Sequence, residues 1–183
     1  MNHETYKFIS RFAEQVISEY RLALPITDMK QVVEMLGGTL EELDDHDEFL
    51  DGCIRKTGDS GFSVAVSSMQ SDSMKKFAAA GALGHLFLHM GYRTDPDLWN
   101  SLDPSAEYMS FRKDEQIMQA NAFAEALLMP EQEYTDLVDS LAVDNTVNIQ
   151  QVAEHFAVSA AAAKKRGTDL HLLQMISEES PPL

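Results

Sequence analysis

The sequence predicts an α+β fold: a small, mostly antiparallel sheet packed against a helical bundle. Two observations carry this. Segments at both ends of the chain repeat apolar residues at helical spacing, and the stretch from Thr39 to Ser67 reads as short strands around a hairpin turn. A third bounds it. At 183 residues and 44% hydrophobic, the chain has enough apolar surface for one core without disulfides or a structural metal.

The elements follow in order. Phe8, Ile9, Phe12, Ala13, Val16, Ile17 and Tyr20 form one face of a helix over 4–22, which Pro25 stops. Thr27 or Asp28 caps a second helix with Val32, Val33 and Leu36 buried, and Gly37-Gly38 ends it. Thr39 to Leu43 is a short strand, followed by the acidic loop DDHDE at 44–48. Phe49 to Lys56 and Gly61 to Ser67 flank the turn TGDSG as a hairpin. Phe62, Val64 and Val66 alternate with small residues, so one face of that strand is buried. A helix over 72–91, capped by Ser71 or Asp72, leads into a Pro-containing loop over 92–110. Helices over 113–128 and 131–141 come next, then two shorter ones over 148–156 and 159–166. The natural division is 1–145 as the main domain and 146–183 as a helical appendix packed on it.

Composition excludes several classes. The net charge is −16, which repels a phosphate backbone unless cations cluster. The basic clusters are Lys75-Lys76 and Lys164-Lys165-Arg166, both small, so nucleic acid is not the expected partner. Cys53 is the single cysteine, so neither an intrachain disulfide nor a cysteine zinc knuckle can form, and a reducing cytoplasmic setting fits. The charged opening MNHETYKFISRFAEQ has no signal-peptide core, and the apolar stretch from Phe77 to Met90 is too short to cross a membrane.

Two helices carry the chemistry. Residues 76–92 read KFAAAGALGHLFLHMGY and residues 114–130 read DEQIMQANAFAEALLMP. Together they resemble the paired signature helices of the ImmA/IrrE family of zinc-metallopeptidase-like proteins. Phe77, Ala80, Leu83, Gly84 and His85 fall on the family's first helix, and the segment QANAFAEALLMP on its second. The resemblance implies a zincin-like helix pair. It also implies a bacterial, phage or mobile-element setting, and a role in acting on helix-turn-helix repressors or in toxin–antitoxin pairs.

A zinc peptidase of this kind needs two histidines at i and i+4 on one helix face, a glutamate beside the first as general base, and a third ligand from the next helix. Where the family has His-Glu, this chain has Gly81-Ala82. His85 keeps the second histidine position. Ile117 and Gln119 stand where the family puts its glutamate. The expected reading is therefore a catalytically inactive pseudopeptidase, with no cofactor, that binds a repressor-like or antitoxin-like protein.

Alternatives attach to individual residues. His85 and His89 repeat the i, i+4 spacing, so a shifted zinc site completed by Asp114 or Glu115 would give a working peptidase. The plainer account is a cleft histidine followed by one at the helix end, where cations suit the dipole. Gly81 reads as drift after metal loss; the alternative is a gap above His85 that admits a ligand or a partner side chain. The Gly61–Ser67 strand, with Val64 and Val66, is a candidate edge for pairing with an extended peptide. Trp99, Tyr108, Tyr92 and Phe111 are either partner-recognition aromatics or a lid over the core. The segment NIQQVAEHFAVSAAAAKKR has a helix-turn-helix cadence, but its second helix offers few side chains for base edges, so a structural or docking role is expected over DNA regulation. Cys53, with no histidine placed to activate it, reads as a structural thiol.

Overall fold

A computed structural model describes residues 1–44, 52–103, 107–109 and 115–173, the side chains of 107–109 excepted. The N-terminal periodicity folds as α1 (His3–Tyr20), with the Asn2 side chain accepting from the Thr5 amide at 2.8 Å as its cap. Asp28 caps α2 (Met29–Met35) through the Gln31 amide. The chain leaves α2 through Gly37 at φ +93°, a left-handed turn that suits glycine. Ser71 caps α3 (Asp72–Leu88), and His89 is the C-cap residue that ends it. The next helices are α4 (Pro96–Ser101), α5 (Glu115–Leu128) and α6 (Glu131–Leu141), and the last two are α7 (Ile149–Phe156) and α8 (Ala160–Asp169).

The sheet has four strands in the order β1 (Gly38–Leu43), β3 (Gly61–Ser67), β2 (Gly52–Thr57), β4 (Glu107–Met109). β2 and β3 form the expected hairpin, and β4 adds to β2, both antiparallel. β1 lies parallel to β3 with Gly38 opposite Phe62 and Leu43 opposite Ser67. This arrangement corrects one expectation. β3 is an interior strand, so its ladder is already used on both sides and cannot take up a peptide. Val64 and Val66 are fully buried beneath the helices and cannot meet a partner either.

The loop expected over 92–110 contains two elements that were not anticipated, α4 and β4. Asp95 caps α4 through the Leu98 amide, and Pro96 stands in its first turn, where a missing amide proton does no harm. Trp99 is buried on this helix, with its indole N–H donating to the Asp59 carbonyl at 2.7 Å. Buried Lys56 donates to the Trp99 carbonyl at 2.7 Å and the Leu102 carbonyl at 3.3 Å, so it satisfies the carbonyl end of α4. Trp99 is thus core and not a recognition surface. Tyr92 is core too, its hydroxyl donating to the Leu36 carbonyl. The Tyr108 backbone pairs with Ile54, while its side chain and Phe111 lie outside the described residues.

The helices layer on one another through an aromatic cluster. Phe12 of α1, Phe87 of α3 and Phe123 of α5 meet with ring centroids 5.8–6.1 Å apart. At the other end, Arg166 of α8 is fully buried. It donates to the Met129 carbonyl at 3.0 Å, the Tyr6 hydroxyl at 2.6 Å and the Ser10 hydroxyl at 3.2 Å. The C-terminal helices are therefore bonded to both α5 and α1. Tyr134 of α6 adds a hydrogen bond to the Ala163 carbonyl.

Candidate functional site

α3 and α5 cross at Gly84. A Cβ there would lie 2.8 Å from Ala120 Cα and 2.9 Å from the Ala120 carbonyl oxygen, so glycine is what lets the two backbones approach. This crossing sets the positions of every residue at which the family resemblance places chemistry.

His85 sits one turn after Gly81 on the same face of α3 and is buried. Its Nδ1 is 2.9 Å from His89 Nδ1, and His89 Nε2 is 3.0 Å from Gln119 Oε1. The three side chains form a hydrogen-bonded chain from α3 to α5. Gln119, at a position where the resemblance implies a carboxylate, accepts a hydrogen bond from His89 Nε2 through its Oε1. Ile117 is half-buried two residues earlier, and its side chain offers no donor atom. Ala82 is buried and also carries none.

Two imidazoles and a carboxamide are fewer strong donors than a zinc centre takes from its protein. Two imidazole nitrogens on one tetrahedral zinc stand about 3.3 Å apart with both lone pairs turned to the metal. Here the two Nδ1 atoms lie 2.9 Å apart, at hydrogen-bonding distance from each other. Both nitrogens of His89 are engaged within the protein. Among the described residues, Glu115 included, no group of three or more His, Cys, Asp or Glu side chains is assembled; Asp114 lies outside them.

Above His85 the face of α3 opens. A Cβ on Gly81 would meet only Asn121 Oδ1, at 3.8 Å. The space belongs to a cavity of about 260 Å³ whose floor and walls are Met74, Phe77, Ala78 and Gly81 of α3, Asn121 of α5 and Ala162 of α8. Gln70, Ser73 and Ser159 complete its rim, so no lining residue is ionisable. Ser73 is shared with a second, larger groove of about 630 Å³, lined in part by Asp28, Asp72, Lys75, Lys76 and Glu154.

Besides Lys56, three buried ionic groups among the described residues escaped the sequence reading. Lys76 donates to the Phe156 carbonyl, the last of α7, at 2.6 Å, and burial pulls its amine down to about 8. Glu125 of α5 is buried and accepts from Lys165 at 2.9 Å. Burial holds its carboxyl above the usual range, more than the Lys165 ammonium lowers it. Arg166 is the third. A run such as Lys164-Lys165-Arg166 reads as a solvated face, yet Arg166 is engaged inside the protein as described, and exposed Lys165 is paired with buried Glu125 and with Asp169. Cys53 is buried in β2. Among the described residues no helix is long and apolar enough to cross a membrane.

Comparison with known proteins places this geometry. The peptidase family model described as the IrrE N-terminal-like domain matches residues 52–168, which span the sheet hairpin, both signature helices and most of α8. Among solved structures, a Mycobacterium tuberculosis transcriptional regulator superposes with a TM-score of 0.54 at 17% sequence identity, over 90% of this chain and 50% of that one. The chain spans about half the length of that structure, and at this identity the likeness is one of fold. None of the curated proteins matches the chain.

Proposed function

The chain belongs to the IrrE N-terminal-like domain family, and from that premise we propose that it is a pseudopeptidase: a cytoplasmic regulator that grips a repressor-like or antitoxin-like protein, in a bacterial or phage setting, without cutting it. One observation carries the reading. The positions that would hold metal and base are Gly81, Ala82, Ile117 and Gln119, none able to serve, while the packing positions of the same helices are intact down to Gly84 against Ala120. A peptidase needs a metal-activated water and a base to move its proton. A binding module needs only the scaffold and its cleft. A regulatory role is consistent with the fold shared with the transcriptional regulator.

Elemental analysis of the purified chain tests this first. The expected result is zinc well below one ion per chain and a melting temperature that a chelator leaves unchanged. Stoichiometric zinc that disappears on His85→Ala would instead establish the shifted-site peptidase. Direct DNA regulation is disfavoured by the burial of Arg166 and the pairing of Lys165 with Glu125 and Asp169, and binding to duplex DNA that weakens steeply with salt would restore it.

A further inference from the structure

Gly81 and Gly84 lie on the same helix, and only one of them has a packing reason to be glycine. A Cβ at Gly84 would strike the Ala120 backbone; a Cβ at Gly81 would enter open space. A mid-helix glycine costs about 1 kcal/mol relative to alanine. At Gly84 the close approach of α5 offsets that. At Gly81 nothing within the protein does, and what the missing side chain leaves is the floor of the 260 Å³ cavity. A void of about 150 Å³ lined by apolar groups already takes up a benzene-sized molecule, so this one holds a leucine, methionine or phenylalanine side chain. Its walls are the side chains of Met74 and Phe77, and Met74 is half exposed and can adapt. The Asn121 amide stands at the mouth, exposed, with both donor and acceptor capacity for a backbone.

The neighbouring groove indicates what flanks the anchor. It joins the cavity over Ser73. Within it Lys75 is paired with Glu42, and Lys76 is held by the Phe156 carbonyl. Carbonyl bonding leaves Lys76 its charge, so the groove sets the carboxylates of Asp28, Glu42, Asp72 and Glu154 against the ammonium groups of Lys30, Lys75 and Lys76, an excess of one negative charge that lies with Asp72 and Glu154 beside Ser73. A second copy of a chain carrying −16 is repelled from such a groove, and so is an anionic ligand.

We propose that the cleft over Gly81 is a peptide-docking site that takes one uncharged apolar side chain of a partner segment, with the Lys or Arg residues next to that anchor lying over Ser73 in the acidic groove. The inference rests on the reading of this chain as a binding module and names the chemistry of what it binds. Occupation of the cavity removes the anchor from water, which supplies the affinity, and the groove selects the sign of the flanking charge.

The test is selection of a random phage-displayed peptide library on the full chain, followed by synthesis of the enriched peptides. The expected peptides share one Leu, Met or Phe beside Lys or Arg. Their affinity falls at least tenfold on Gly81→Leu, which fills the cavity, and three- to tenfold on the pair Asp72→Asn and Glu154→Gln, while Phe8→Ala on the exposed face of α1 leaves it unchanged. If Gly81→Leu does not fold, Gly81→Ala serves, with an expected loss of about threefold. Peptides that bind equally well after Gly81 is filled, acidic flanks, or no enrichment at all would overturn the proposal. Zinc found in the protein would overturn the pseudopeptidase reading itself, so the two failures are separately visible.

Discussion

The two ends of the α3–α5 contact differ in what they exclude. At Gly84 backbone meets backbone, and there is no room for a single methyl group. One turn earlier on α3, a Cβ at Gly81 would meet only Asn121 Oδ1 at 3.8 Å, and the cavity opens there with Ala162 of α8 in its wall. The first end holds the fold together, and the second leaves a site. A family scaffold can lose its chemistry and stay folded because the residues that pack and the residues that react stand on the same helix but at different places along it.

Substitutions can break or sharpen this contrast. Gly84→Ala has the largest expected effect. Its Cβ meets backbone atoms that cannot swing aside, so stability should fall by about 2–3 kcal/mol and Tm by roughly 5–10 °C, read in a thermal melt. A melt unchanged from the parent would mean the closed end is not closed. Gly81→Ala should act in the opposite direction. The methyl group fits and the helix gains, so Tm should rise by a few degrees, corresponding to about 0.5–1 kcal/mol. A loss of stability there would show that the open end has a packing role.

The smallest effect concerns the outer wall. Lys76 ties α3 to the last carbonyl of α7, just before Ser159 of the cleft rim. Its amine is lowered to about 8 by burial, whereas an unfolded lysine keeps its ordinary value of 10.5. Between these values the unfolded chain binds more protons, so this group makes stability rise with pH from about 8 upward. Tyr134, pushed up to about 12 by burial, works in the opposite direction, but only above about pH 10. Denaturant titrations between pH 8 and 10 should therefore show a positive slope that Lys76→Met flattens. An identical slope in the variant would remove the tether from the account.

How far the sequence revealed all this depends on the range of the interaction. Helices governed by local periodicity and caps were legible: α6 spans the expected Glu131–Leu141, and α1 begins and ends within two residues of expectation. The short helix α4 was missed although Asp95 followed by Pro96 is a helix-start signal, because a proline in a polar stretch reads first as loop. The parallel pairing of β1 was not legible, since a hairpin turn specifies only β2 and β3, and it is β1 that turns β3 into an interior strand. At the site, the residues His85, His89 and Gln119 could be read from spacing, but their mutual hydrogen bonds could not. The buried roles of Lys56, Glu125 and Arg166 rest on partners 37 to 160 positions away, which no local pattern encodes.

The bond from Arg166 to Tyr6 and Ser10 has a bearing on how the chain comes off the ribosome. α1 is made first, yet its polar contacts wait for a guanidinium made some 160 residues later. One guanidinium thus ties the first described helix to the last, and a chain cut short before it would lack that tie.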